Sequence, residues 1–206
     1  MKKYYILISL CLLLSCKNKS ESDFAKYLEL KKMAVTSNIR KDTTFLQFRF
    51  GMSPTDLNNR IRELERDSTL YYDRVNEMYC YDIYTGRKNM DRVYCYFIPQ
   101  FYNNELYSIV LQARQDNDNL ANHSGIAISL MKLAIGDKYG LRSVSYKLTE
   151  GMEETFIWFQ HNIEISIRYH VEGPIIEYKD LLREKLKEDQ ETKEEDQASS
   201  KTQKEL

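Results

Sequence analysis

The chain reads as an α+β protein in which helices pack on an antiparallel sheet and the order helix–β–β–β occurs twice. Three observations carry that reading. Short runs of alternating apolar and polar residues fill most of positions 43–180, the pattern of half-buried strands. Two stretches with a helical apolar period and marked ends interrupt them. Tight turns at Asn103-Asn104 and His161-Asn162 join neighbouring runs, which makes those strands antiparallel. The 16 tyrosines suit half-buried sheet positions.

In chain order, residues 16–42 read as a polar tether with a short helix around Phe24, Tyr27, Leu28 and Leu30. FLQFRF then alternates, with Leu46, Phe48 and Phe50 on one face, and predicts a strand. GMSPTDLNNRIREL opens a helix: Ser53 caps it, Pro54 takes the first helical position and Asp56 sits three after the cap. Leu57, Ile61 and Leu64 supply its apolar stripe. NEMYCYDIY and DRVYCYFI follow as strands joined by TGRKNM, and ELYSIVLQAR comes after Asn103-Asn104, residues that tolerate φ > 0. The polar loop QDNDNLANHS leads to a helix over residues 125–139, closed by Gly140. SVSYKLT, TFIWFQ and IEISIRYH form the second strand set, and IIEYK after Gly173-Pro174 adds an edge strand. From Leu181 the composition turns to Lys, Glu, Asp and Gln, which predicts a helix through Lys187 and then a solvated tail.

The organisation that follows is a leader at 1–15, a tether at 16–42, an α+β domain at 43–182 and a charged tail at 183–206. The domain divides into candidate halves at 43–115 and 124–180. Phe101, Asn104, Ser108 and Ile109 repeat as Phe159, Asn162, Ser166 and Ile167 at identical spacing. A duplication and the general likeness of tight hairpins both account for this echo.

The leader MKKYYILISLCLLLSCKNKSES has a basic start, an apolar run from Tyr4 to Leu14 and the small Ser15, the layout of a secretory signal. Its apolar run is shorter than the roughly 20 residues a spanning helix needs. Leu13-Leu14-Ser15-Cys16 resembles the lipobox of bacterial lipoproteins. That resemblance implies cleavage before Cys16, acylation of its sulfur and amine, and a cell-envelope protein held to the membrane by its lipid. Several acyl chains on one residue anchor stably where one chain binds only reversibly. Lys17 in place of aspartate makes the outer membrane the default destination. Gly51-Met52-Ser53 opening a helix with Leu57 on its inner face resembles outer-membrane assembly lipoproteins and β-lactamase-inhibitor proteins. This second resemblance implies a helix-on-sheet fold and transfers no functional residue.

After the leader is removed about 190 residues remain, enough for one domain with a real core. The chain carries 30 basic and 31 acidic residues, a balance with no electrostatic footprint for nucleic acid. Only 7 glycines occur, and neither GxGxxG nor GxxxxGK[ST] is among their settings, so no phosphate-cradling cofactor loop is expected. His123, His161 and His170 are scattered, and DNDNLANHSGIA lacks the glycine and the final glutamate of a calcium loop, so no metal is expected. No nucleophile motif or paired-carboxylate spacing stands out, and no catalytic residue is assigned.

Two constellations remain. Pairing Tyr84 with Asp91 would set Cys80 opposite Cys95, within reach of a disulfide that export would allow to form. A one-residue slip would leave both as reduced core thiols. The same register places Tyr79, Tyr81, Tyr94 and Tyr96 on one sheet face, joined by Tyr107 from the next strand. Such a face is either a partly exposed plate for a protein or glycan partner or a second core face with its hydroxyls at the rim. Trp158, in an alternating run, reads as core. The expected function is a non-enzymatic, lipid-anchored envelope module that binds or inhibits another protein. The alternatives are a small hydrolase of envelope glycans or peptides, and a small-molecule or lipid binder.

Overall fold

The computed structural model describes residues 19–84, 92–114, 124–147 and 153–204, and in them four helices pack against an open antiparallel sheet of eight strands. Helix α1 (Lys19–Thr36) is followed by a 3-10 turn (Phe45–Gln47) and α2 (Pro54–Arg66). Strands β1 (Tyr71–Asp73), β2 (Met78–Tyr84), β3 (Arg92–Tyr102) and β4 (Glu105–Ala113) form one meander. Helix α3 (Ser124–Tyr139) leads to β5 (Val144–Tyr146), β6 (Thr155–Gln160), β7 (Ile163–Arg168) and β8 (Ile175–Asp180), and α4 (Leu181–Lys204) ends the described chain. The α+β reading holds, with a helix and then four strands in each half. Strand β1 was not marked by hydropathy, because Tyr71 and Tyr72 on this short edge strand are exposed. Cys16 and the leader, the TGRKNM loop, and the polar loop with His123 lie outside the described residues.

The sheet order is β1-β2-β3-β4-β8-β7-β6-β5. Strand β8, expected at an edge, is the seam between the halves: Tyr178 pairs with Ile109 of β4 and with Ile165 of β7. Its polar residues disguised that position. Glu177 is buried yet satisfied, since it accepts from Ser108 Oγ at 3.0 Å and pairs with Arg168 at 3.2 Å. The order also places the two echoing hairpins at different positions in their halves. Asn103-Asn104 joins β3 to β4, whereas His161-Asn162 joins β6 to β7, and the counterpart of β3–β4 across the seam is β7–β8. Both turns use the left-handed backbone: Asn103, Asn104 and His161 adopt positive φ, at 49°, 62° and 57°.

One sheet face carries the main core. Val93, Cys95, Phe97, Leu111, Ile165 and Ile176 meet Leu57, Ile61 and Leu64 of α2 and Ala127, Met131 and Ile135 of α3. Helix α2 begins as expected, with Ser53 Oγ accepting the Asp56 N–H at 3.2 Å and its hydroxyl donating to the Asp56 carboxylate at 2.7 Å. Helix α3 stops at Gly140, whose φ of 80° suits the left-handed closing residue. Gly51 has the other decisive glycine position. Its φ of 85° lies in the left-handed region that favours glycine, and an added Cβ would also displace the Arg183 guanidinium.

Three expected segments differ. FLQFRF is a turn rather than a strand: Leu46 and Gln47 have φ of 50° and 62°, and the Thr44 N–H donates to the Phe48 carbonyl at 2.8 Å. Phe45, Phe48 and Phe50 are all buried, which an alternating strand could not achieve and a reversing chain does. The tether contains an 18-residue helix, α1, docked on the sheet face opposite α2 and α3. There Tyr27 joins Val144 and Ile157 in a second, smaller core. The C-terminal helix continues through Lys204 rather than ending near Lys187. Among the described residues no helix is long and apolar enough to cross a membrane.

Candidate functional site

The β2–β3 pairing decides where the predicted site residues fall. Tyr84 pairs with Arg92, one residue beyond the expected Asp91, and the slip propagates so that Cys80 faces Tyr96 and Tyr81 faces Cys95. Because neighbours along a strand point to opposite faces, the slip redistributes the whole set. Cys80 and Cys95 lie on opposite faces, both buried and both free thiols, so the expected disulfide is not formed. Burial raises both thiol pKa values, that of Cys95 well above its ordinary 9.0. The tyrosine set splits in the same way. Tyr79 and Tyr81 pack against the main core, Tyr81 meeting Phe45 edge-on at 4.7 Å, while Tyr94 and Tyr96 stand on the other face. Tyr107 is elsewhere again, beside α4 with its ring 5.2 Å from Lys187 Nζ.

On that other face, β1 to β3 build a compact aromatic and charged surface. The Arg92 guanidinium lies 4.8 Å from the centre of the Tyr94 ring and its NH1 is 3.2 Å from Asp82. Arg114 lies 5.6 Å from the Tyr96 ring and 3.6 Å from Asp73. Each guanidinium is thus held between a tyrosine face and a carboxylate, an arrangement that fixes its rotamer before any partner arrives. Tyr71 OH donates to Asp82 at 2.9 Å, and burial together with that bond raises its phenol pKa. The Asp73 carboxylate is lowered first by its hydrogen bond from the Asn76 side chain. Tyr94, Tyr96 and Arg114 are half-buried, and α4 meets this face at the other end of β3, where the Tyr102 hydroxyl bonds to Gln190. In the other half of the sheet, α1 occupies the same face.

A second polar constellation lies beneath α1, and sequence reading missed it because its members are far apart in the chain. Tyr27 OH donates to Glu164 at 3.1 Å; Lys31 pairs with Glu184 at 2.9 Å. Lys179 lies between Glu184 at 2.7 Å and Glu177 at 3.5 Å. Burial raises the Glu164 carboxyl, whereas Lys179 brings that of Glu184 down against its own burial. Two carboxyl groups with opposed shifts are the raw material of acid–base chemistry. Here, however, Glu164 is only 5% exposed and bonded by Tyr27 of α1, while Glu184 is paired with Lys31 and Lys179. The network fastens α1 and α4 to the sheet.

The remaining candidates have structural explanations. Trp158 is core and its indole N–H donates to the Gly140 carbonyl at 3.0 Å, tying β6 to the end of α3. His161 forms the β6–β7 turn, and His170 Nδ1 accepts the Glu172 N–H at 3.3 Å. Comparison with protein families, with curated proteins and with solved structures finds no match to this chain.

Proposed function

We propose that the protein is an exported, lipid-anchored envelope module that binds another envelope protein through the Arg92–Tyr94 and Arg114–Tyr96 surface. The observation that carries this is the pair of stacked arginine–tyrosine contacts, with both tyrosines half-buried rather than packed in the core. Tyrosine and arginine dominate the energetics of protein interfaces, because both bury large area and retain directed hydrogen-bonding groups. Their mutual stacking lowers the entropy lost on binding. A partner that offers carboxylates flanked by apolar side chains fits this chemistry best. The lipobox-like Leu13-Leu14-Ser15-Cys16 supports the anchor. Only residues 17 and 18 separate Cys16 from α1. An acylated Cys16 would therefore hold the start of α1 within about 11 Å of its attachment point, at roughly 3.6 Å per residue.

A photo-cross-linking residue at position 96, with position 188 on exposed α4 as control, tests the reading in native membranes. One dominant protein adduct is expected from position 96 alone. Replacing both Arg92 and Tyr94 by alanine should weaken its capture about tenfold or more. Equal capture from both positions, or capture indifferent to those two substitutions, would remove the support for this surface.

A further inference from the structure

On the opposite side of the sheet, α3 does not close fully onto the strands near its C-terminal end. A cleft of about 250 Å³ remains between Ala134 and Ile135 on the helix and Tyr81, Leu111, Ile176 and Tyr178 on the sheet. Its floor is core: Leu111 and Ile176 are each 1% exposed and Tyr178 is 2% exposed. One wall is aromatic and rigid, with Phe45 stacked on Tyr178 at 5.3 Å and set edge-on to Tyr81 at 4.7 Å. At the rim stands Lys138, with Nζ 5.3 Å from the Tyr139 ring centre and 5.8 Å from that of Phe45.

Lys138 forms no ion pair with any described carboxylate, Asp137 beside it included. The charged group that acts on it is another cation, Lys41, which adds to partial burial in lowering its ammonium pKa from 10.5. A slot with an apolar floor, lined at its mouth by Lys138 and by an Asp137 that does not pair with it, suits a ligand with a hydrocarbon body and a single negative end. The volume suits a hydrocarbon body of about eight non-hydrogen atoms, with the charged end at the rim.

We propose that this cleft binds a small amphipathic carboxylate, its hydrocarbon body against Tyr81, Leu111 and Ile176 and its carboxylate on Lys138. The site is independent of the arginine–tyrosine surface, from which the sheet separates it. A ligand bound there would tie α3 to β2 and to the seam strand β8.

The test is the rate at which Lys138 is acetylated by a water-soluble active ester, read by peptide mass spectrometry on the full-length protein in its membrane. Lys132 on the same helix is the internal reference. Saturating 3-phenylpropionate is expected to slow acetylation of Lys138 relative to Lys132 at least about threefold, the slowing that two-thirds occupancy produces. The neutral 3-phenylpropan-1-ol and the bodiless acetate should leave the ratio unchanged. Ala134→Phe, which fills the slot from a half-buried helix position, should abolish the protection by 3-phenylpropionate without altering the ligand-free rate. No protection by the aromatic acid, protection equally by acetate, or protection that survives Ala134→Phe would each overturn the proposal. The first two outcomes are read on the unaltered chain and do not depend on how the variant folds.

Discussion

Glu164 is 5% exposed, and burial pushes its carboxyl above the ordinary 4.5 although Lys179 and Lys31 pull it down. A carboxyl whose folded pKa is raised favours the folded state only while protonated, so its contribution is lost as pH rises through the window above 4.5. Glutamine keeps an acceptor for Tyr27 and does not titrate. Glu164→Gln is therefore expected to match the parent near pH 4 and to be the more stable of the two at pH 8. Urea unfolding at both pH values measures this; an identical difference at each would show that the buried charge costs nothing. The individual residues that were legible in advance are those acting on near neighbours. Ser53 capping Asp56, the left-handed Asn103-Asn104 turn and Gly140 closing α3 needed only local chemistry. Asn162 was read as a turn residue, and its other role was hidden. It is 1% exposed, its side-chain carbonyl accepts the Lys41 N–H at 2.6 Å and its amide donates to Asp180 at 3.0 Å, partners that no local pattern announces.

Helix α1 owes its place to tertiary contact rather than to a sharp apolar stripe. Tyr27 is 8% exposed against Val144 and Ile157, and its ring lies 4.7 Å from that of Tyr146 and 6.3 Å from that of Phe159. Tyr27→Ala removes that anchor and leaves Glu164 without its donor, and should cost about 3 kcal/mol. Hydrogen exchange should report the loss first in β5 and β6, on which α1 lies, with β1 to β4 unchanged. Uniform acceleration across all eight strands would mean that α1 is not a separable clamp. The β2–β3 hairpin shows the opposite kind of failure. Both strands were recognised, but a register displaced by one residue moved Cys80 and two tyrosines to the wrong faces. Strand hydropathy was ambiguous there because tyrosine and cysteine suit either side.

The molecule as a whole is one sheet because β8 joins two meanders that the chain builds separately. Ile176 pairs with Leu111 on one side and Ile167 on the other, and all three are at most 1% exposed. Neither half can bury its seam edge without the other, so the two should unfold together. Ile176→Ala is expected to destabilise by about 3 kcal/mol. It should lower the denaturation midpoint equally when followed by Trp158 fluorescence in the second half and by a cross-strand probe in β2–β3 of the first. Two separated midpoints would show that the halves are independent units.

The sequence by itself determined the α+β class, the start of α2, the end of α3 and the turns of two hairpins, because each depends on residues within a turn or two of one another. Only the tertiary structure decided which strand stands at the centre, which face each tyrosine takes, that Cys80 and Cys95 stay apart, and that Lys138 overlooks a cleft. Those outcomes depend on pairing between distant segments, where a shift of one residue reverses every side chain of a strand while leaving its local pattern unchanged.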